Sequence, residues 1–367
     1  MIIEAAVARG PQLPFQIETL ELDAPRADEI LVRIVGVGLC HADLVFKAGG
    51  PIGLPAVFGH EGSGIVEQVG EAVTKVAPGD RVAISFRSCG HCPRCDRHEP
   101  AYCHTMPMLN YAGVRTDGSK TLSKHGEPVA GSFFGQSSFG GHALTYERNL
   151  VKVPESFPLE LAGPLGCGIQ TGVGGIMRSL ACEAGSSLLI VGGGAVGLSA
   201  VIGAAVQGCA TVIVVEPMAS RRALALELGA THVIDPASDP DLARAVRAIV
   251  PIGVDYAFDT AGIPAVLQAV MQCLGPHAVF GIVGIAPPGT PVPGDMGQVM
   301  TFGHTIKGII EGDSDPDEFI PQLMALHAEG RLPLEKLVKT FPLSQINEAI
   351  AAQHRGDCVK VVLLPGG

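Results

Sequence analysis

Leu188-Leu189-Ile190-Val191-Gly192-Gly193-Gly194-Ala195-Val196-Gly197-Leu198 is the stretch on which the architecture turns. Four apolar residues run into a glycine turn, an apolar segment of helical texture (196–207) follows, and a second run, Thr211-Val212-Ile213-Val214-Val215, ends at Glu216. Gly192-x-Gly194-x-x-Gly197 between a strand and a helix, with an acidic residue closing the next strand, has the spacing of a dinucleotide-binding Rossmann unit. Gly192 permits the tight turn, Gly194 lets the backbone approach a pyrophosphate, and Gly197 lets helix and strand pack closely. The helix start at Ala195 and Val196 offers free N–H groups and a positive dipole end to the phosphates. Glu216 stands where a carboxylate accepts hydrogen bonds from the adenosine ribose and repels a 2′-phosphate, which points to NAD rather than NADP. Arg221 and Arg222 lie close by, and either could receive a 2′-phosphate if Glu216 turned away. The bland alternative is a glycine set used only for helix–sheet packing.

The same texture continues outward. Strand-like runs at 254–259 and 278–283 alternate with helix-like segments such as 221–228. Apolar strands alternating with helices imply a doubly wound parallel sheet. The region before about Thr171 reads differently: 30–35 and 64–69 are strand-like runs bounded by Gly, Pro or acidic residues, so this part is β-rich. After about Lys307 come an amphipathic helix (319–328) and a strand (359–364) expected to rejoin the first domain. The expected fold class is α/β, with a β-rich catalytic domain over 1–168, a Rossmann domain over 169–306, and a return to the first domain over 307–367.

Composition narrows the function. The 367 residues are 47% hydrophobic and 17% charged, enough for two ordinary domains with large cores. A formal net charge of −11 argues against a nucleic-acid partner, which calls for a basic face. The charge-free stretch 185–215 is interrupted by three glycines and reads as strand, turn, helix, strand rather than a membrane span. Met1-Ile2-Ile3-Glu4 lacks the parts of a signal peptide, which suggests a cytoplasmic protein with no membrane partner.

Cys89, Cys92, Cys95 and Cys103 are spaced C-x₂-C-x₂-C-x₇-C on a loop of Gly, Pro, His and Arg. Short spacings let thiolates converge on one zinc, and four protein ligands close the site, which makes it structural. Two disulfides are the alternative, disfavoured because nothing points to an oxidising compartment; packing as small hydrophobes is another. His91, inside the loop, reads as solvated. Three further donors are scattered. Cys40 stands beside polar groups in Cys40-His41-Ala42-Asp43, His60 sits in the glycine-rich Gly59-His60-Glu61-Gly62, and Cys167 precedes the Rossmann unit. Together they form a Cys₂His set, the type that holds a catalytic zinc with an open fourth position. Cys182, Cys209, Cys273 and Cys358 have no partners in sequence and read as buried packing residues.

In these motifs and their order the chain resembles the zinc-containing medium-chain alcohol dehydrogenases over essentially its whole length. The resemblance rests on Gly-x-x-His-Glu-Gly-x-Gly around His60, the cysteine quartet, Pro164-Leu165-Gly166-Cys167-Gly168 with Thr171, and the glycine fingerprint with Glu216. Ser85-Phe86-Arg87-Ser88-Cys89 and Glu311-Gly312-Asp313-Ser314 are similar to the bacterial aryl and allylic (benzyl or geraniol) branch. The resemblance implies a GroES-like β domain carrying two zincs and a Rossmann domain. It implies that Asp43 orients the imidazole of His60, and that Glu61 lies near the zinc and exchanges with its water. It implies that His41 and Lys360 contact the pyrophosphate, Arg221 the adenosine ribose, and Thr171 the nicotinamide ring. Phe86, with the apolar stretch 106–109, is the expected substrate-pocket lining.

The chemistry expected is reversible, NAD-dependent oxidation of a primary, aromatic or allylic alcohol to the aldehyde. A polyol or secondary-alcohol dehydrogenase is the rival within the superfamily, and a catalytically silent zinc protein the rival outside it. A homodimer is expected, with a tetramer as the alternative. One departure stands out: family members carry Ser or Thr two residues after the first zinc cysteine and a histidine three further on, for a proton relay. Here those positions are Ala42 and Val45.

Overall fold

The computed structural model describes residues 1–366, which form two compact units: 1–167 with the segment from Ser314 onward, and Gly168–Asp313.

The first unit is built on two sheets. Its spine is the strand Glu29–Leu39, buried along almost its whole length apart from Arg33 and Val35. Antiparallel neighbours Gly62–Val69, His142–Tyr146 and Lys360–Leu364 pair with it. Arg81–Ile84 and Leu150–Lys152 extend the sheet on one side and Val338–Pro342 on the other. The segment 360–364 thus returns from the far side of the chain to lie beside Val37–Leu39, with Val362 opposite Gly38. The second sheet runs Ala56–Val57, Ile2–Ala8, Gln16–Leu22, Leu122–Lys124, Glu127–Val129. Gln16–Leu22 alternates exposed and buried residues, as a strand with one wet face should.

The second unit is one parallel sheet. Its order is His232–Ile234, Thr211–Val215, Ser187–Val191, Val254–Asp259, Leu274–Ile282, Thr305–Gly308, reversing direction of growth at Ser187–Val191. All five residues of Ser187–Val191 are buried, because helices cover both sheet faces. Leu189, Val191, Ile213, Ala257 and Phe280 form part of one core cluster. Residues 307–313 fold with this unit, since Thr305–Gly308 adds to the sheet edge with Lys307 opposite Gly281. The charge-free stretch is split into Ser187–Val191, the helix Ala195–Gln207 and Thr211–Val215. Among the described residues no helix is long and apolar enough to cross a membrane.

Candidate metal and cofactor sites

Two groups of donors converge in the first unit. Sulfurs of Cys89, Cys92, Cys95 and Cys103 lie within 4.8 Å of one another. Their loop is tightened by two 3₁₀ turns, Cys95–Arg97 and Pro100–Tyr102, and by the Cys89 N–H donating to the Cys103 sulfur at 3.2 Å. Backbone N–H groups, that of His104 foremost, hold the Cys92 thiol down to about 5, and burial pushes Cys95 up to about 11. Sulfurs this close repel one another when ionised, a repulsion that a shared cation relieves. His91 is exposed and its Nδ1 meets the Cys89 carbonyl at 2.8 Å.

The second group is Cys40, His60, Glu61 and Cys167, with donor atoms again within 4.8 Å of one another. Each arrives by a different local device. Cys40 is the N-cap of the helix His41–Gly49, and Asp43, at its third position, accepts the Cys40 N–H at 3.0 Å in a capping box. The other Asp43 oxygen accepts the Gly59 N–H at 3.0 Å and meets His60 Nδ1 at 2.8 Å. A single buried carboxylate therefore ties the two donor-bearing segments together and fixes the ring. Gly59 has φ +91, a turn only glycine makes without strain, so His60 can swing inward. Gly38 is needed for space: a Cβ there would fall 1.8 Å from a Glu61 carboxylate oxygen. Cys167 follows the 3₁₀ turn Gly163–Gly166.

Burial and mutual charge govern the electrostatics of this group. His60 is wholly buried, and its Nε2 makes no hydrogen bond of normal geometry within the structure. The neighbouring Cys167 thiol holds Cys40 well below the usual thiol range despite burial. For His60 burial works downward, but the Asp43 charge wins and raises it well above its ordinary value. Burial pushes Glu61 up to about 6 against the pull of Lys360. Two sulfurs, an imidazole nitrogen and an adjacent carboxylate suit zinc.

In the second unit Gly192 (φ +95) makes the turn after Ser187–Val191, and a Cβ at Gly197 would fall 1.8 Å from the Gly192 carbonyl oxygen. Gly194 caps the helix Ala195–Gln207, and open space lies where its Cβ would be. Glu216 is buried, and its oxygens accept the N–H groups of Gly193 (2.7 Å) and Met218 (2.8 Å). Arg222 is held by Asp235 at 2.9 Å and by the carbonyls of Glu216 and Pro217.

Comparison with known proteins bears on both units. Residues 26–155 match the Alcohol dehydrogenase GroES-like domain and residues 195–329 the Zinc-binding dehydrogenase family. Geraniol dehydrogenase of Castellaniella defragrans is 47% identical over 98% of this chain and 97% of its own. The chain belongs to the zinc-containing medium-chain alcohol dehydrogenases. Among solved structures, an alcohol dehydrogenase zinc-binding domain protein from Burkholderia ambifaria superposes with a TM-score of 0.96 at 48% identity, covering 100% of this chain and 99% of that one. Benzyl alcohol dehydrogenase of Acinetobacter calcoaceticus superposes with a TM-score of 0.94 at 39% identity, covering 99% of each.

This alcohol dehydrogenase departs from the sequence reading in three places. Lys360, expected at a pyrophosphate, is only 1% exposed; its ammonium pairs with Glu61 and donates to the Leu39 carbonyl at 3.3 Å. Burial disfavours that charge, but Glu61 and then Cys40 outweigh it and raise its pKa. The register of 360–364 against the spine strand turns the side chain inward to the donor group, where Glu61 is its partner. Phe86, expected to line the substrate pocket, is also only 1% exposed and packs in the core. Aromatic rings instead gather around His60. Phe134 stacks on it at 4.5 Å, Phe133 meets it edge-on at 5.4 Å, and half-buried Tyr111 and Phe46 extend the cluster. Gln136 was not singled out either, yet it accepts the Gly62 N–H and donates to the His60 and Ser85 carbonyls. Third, the supposedly unpartnered Cys182 and Cys209 lie within reach of each other.

His41 is exposed on the first turn of its helix, and Arg221 is half-buried. Thr171, in Gly168–Gly174, lies 3.5 Å from a carboxylate oxygen of buried Glu311. Glu311, Gly312 and Asp313 all have positive φ, a left-handed turn anchored by Gln170 donating to Glu311 (3.2 Å) and by Lys307 pairing with Asp313 (2.7 Å).

Proposed function

We propose that the chain oxidises a primary aromatic or allylic alcohol to its aldehyde, reversibly, with NAD as acceptor and two zinc ions per chain. In this reading Cys40, His60 and Cys167 hold the catalytic ion, and Cys89, Cys92, Cys95 and Cys103 the structural one. The observation that carries it is the buried Nε2 of His60, aimed among two thiols and a carboxylate with Asp43 fixing the ring from behind. Bound zinc supplies a Lewis acid that lowers the pKa of an alcohol hydroxyl, and NAD supplies a hydride acceptor. The residues of the chain do the rest. Asp43 orients His60; Glu61, with Lys360 behind it, is the ionisable group nearest the alcohol proton; the rings of Phe134, Tyr111 and Phe46 offer an apolar wall to a flat substrate.

The names of the relatives, one a geraniol and one a benzyl alcohol dehydrogenase, support this substrate class. A polyol would need polar partners where those rings stand. Gly192, Gly194, Ala195, Val196 and Gly197 form the pyrophosphate cradle, with Glu216 and Arg221 at the adenosine ribose, His41 at the pyrophosphate and Thr171 at the nicotinamide. Arg222, engaged with Asp235, is not free for a 2′-phosphate, which favours NAD. Exposed Ile285, Val292, Met296, Met300 and Phe302 support a homo-oligomer in which a second copy covers them, a dimer being the simplest. A reducing cytoplasm keeps the thiolate ligands available.

NADH formation with benzyl alcohol, geraniol and sorbitol tests the reading. Turnover of the first two and not of sorbitol is expected; preference for sorbitol would overturn it in favour of a polyol dehydrogenase, and no turnover of any in zinc-replete protein would favour a silent zinc protein.

A further inference from the structure

We infer that Cys182 and Cys209 form an oxidisable dithiol, a modification site for hydroperoxides that closes to an intrachain disulfide. Two turns of the second unit bring them together. The turn after the helical segment Gly168–Ser179 carries Cys182, and the turn ending Ala195–Gln207 carries Cys209. Backbone bonds lace these turns: Gly185 N–H to the Gly208 carbonyl at 2.8 Å and Ala210 N–H to the Ser186 carbonyl at 2.9 Å. Gln207 Nε2 adds a bond to the Cys182 carbonyl at 3.1 Å. The Ser186 hydroxyl lies 3.7 Å from the Cys209 sulfur. Cys209 is half-buried and open to a small oxidant, while Cys182 is 1% exposed behind it.

The two thiols therefore play different parts. The Cys182 S–H, followed by the Ser186 hydroxyl, favours the ionised form of Cys209, and holds it down to about 6 against burial. At neutral pH Cys209 is the nucleophile, its thiolate supported by two donors and partly accessible, the setting that makes a cysteine reactive. Its thiolate attacks the terminal oxygen of a hydroperoxide, the O–O bond breaks, and the alcohol or water leaves with one proton, giving a sulfenic acid. Sulfenic sulfur no longer bears the negative charge that keeps the Cys182 proton in place. Cys182 sulfur then attacks it, a water molecule departs, and a disulfide remains. In sum, two thiols and one hydroperoxide give one disulfide, one water and one alcohol (or a second water). The link joins the two ends of the segment holding Ser187–Val191, the glycine turn and Ala195–Gln207, at the end remote from the turn. It ties down the dinucleotide unit without entering the phosphate cradle.

The zinc-loaded, full-length protein is treated with a few equivalents of hydrogen peroxide, alkylated, digested and analysed by mass spectrometry. A peptide pair linked through Cys182 and Cys209, two hydrogens lighter and restored by dithiothreitol, is expected before any zinc is released. In Cys182→Ala, dimedone should trap a sulfenic acid on Cys209, and the midpoint of the pH profile of Cys209 alkylation should rise from about 6 towards the ordinary thiol value of about 8.5. Oxidation of the zinc cysteines with loss of metal while Cys182 and Cys209 remain alkylatable would overturn the proposal. So would an alkylation profile unchanged by Cys182→Ala.

Discussion

Asp43→Ala is the substitution that most directly probes how the donor group is built. The fully buried Asp43 carboxylate accepts the N–H groups of Cys40 and Gly59 and the Nδ1 side of His60, the last two bonds closed to water and the first partly buried. A buried donor left without a partner costs about 1–3 kcal/mol. The two backbone donors alone thus put the loss of folding stability at about 2–6 kcal/mol, with the upper end reached if no water fills the space. Freed from Asp43, the imidazole also loses its orientation, and a positioning partner of this kind is typically worth about 10–100-fold in metal affinity. Asp43→Asn separates the two effects. Its remaining oxygen can accept from Gly59 and His60, while its amide opposes the Cys40 N–H, donor against donor. A single orphaned donor predicts about 1–3 kcal/mol and a milder loss of metal. Denaturant unfolding of zinc-loaded and zinc-stripped protein measures the first quantity. Competition with a chelator, followed by the visible absorption of a cobalt-substituted protein, measures the second. If Asp43→Ala keeps wild-type stability and binds metal at the Cys40–His60–Cys167 group within twofold of wild type, the account of Asp43 as the tie between the two segments is wrong.

Other expectations follow from the same geometry. Cys95→Ser should release one zinc and lower thermal stability while leaving the cobalt spectrum of the Cys40 group intact, because a closed site contributes folding energy; loss of both metals together would contradict two independent sites. Glu216→Ala should raise the NADP-to-NAD ratio of kcat/KM by about tenfold, roughly 1.4 kcal/mol. It should also raise KM for NAD, since Glu216 braces the Gly193 and Met218 amides; an unchanged ratio in steady-state kinetics refutes the ribose role. Ala42→Thr should raise kcat and alter its pH profile by supplying a hydroxyl for the alcohol proton; identical profiles would show that proton exit does not limit the rate. Burial raises Glu61 from 4.5 to about 6 in the folded, metal-free protein. The protonated form is therefore favoured by folding, and the stability this brings is present below pH 4.5 and lost as pH rises through about 6. Wild type minus Glu61→Gln, followed by denaturation across that window, should show a fall of about 2 kcal/mol; a flat difference would show that Lys360 compensates fully.

What could be read from the chain divides along physical lines. Gly192, Gly194 and Gly197 were legible from their spacing between a strand and a helix, although a Cβ would clash only at Gly192 and Gly197, and Cys40, His60 and Cys167 were legible only together, as a Cys₂His set. Asp43 was placed by resemblance; its capping box with Cys40 became visible only with the helix that follows. Lys360 shows the limit. Its residue type suggests a phosphate, and only the pairing of Val361 with Leu39 shows which way the side chain must face. Phe133, Phe134 and Gln136 carry no signal that separates a ring or amide beside His60 from one anywhere in a core. Cys182 and Cys209 meet because Ala195–Gln207 runs back along Ser187–Val191, a consequence of topology and not of spacing.

The return of Lys360–Leu364 to the spine strand has a consequence for biosynthesis. A ribosome releases Gly168–Asp313 in one piece, so that unit has every strand of its sheet to hand before Lys360–Leu364 is made. The first unit does not. Glu61 emerges early but waits for its ammonium partner until about three hundred further residues have been added, and the Val37–Leu39 end of the spine strand waits as long for Val361–Leu363. During that interval a buried carboxylate lacks its counter-charge and an apolar strand edge is open to other chains. The metal-bearing half of the enzyme is thus the last to close, and the interval before it closes is when a nascent chain is most in need of a chaperone.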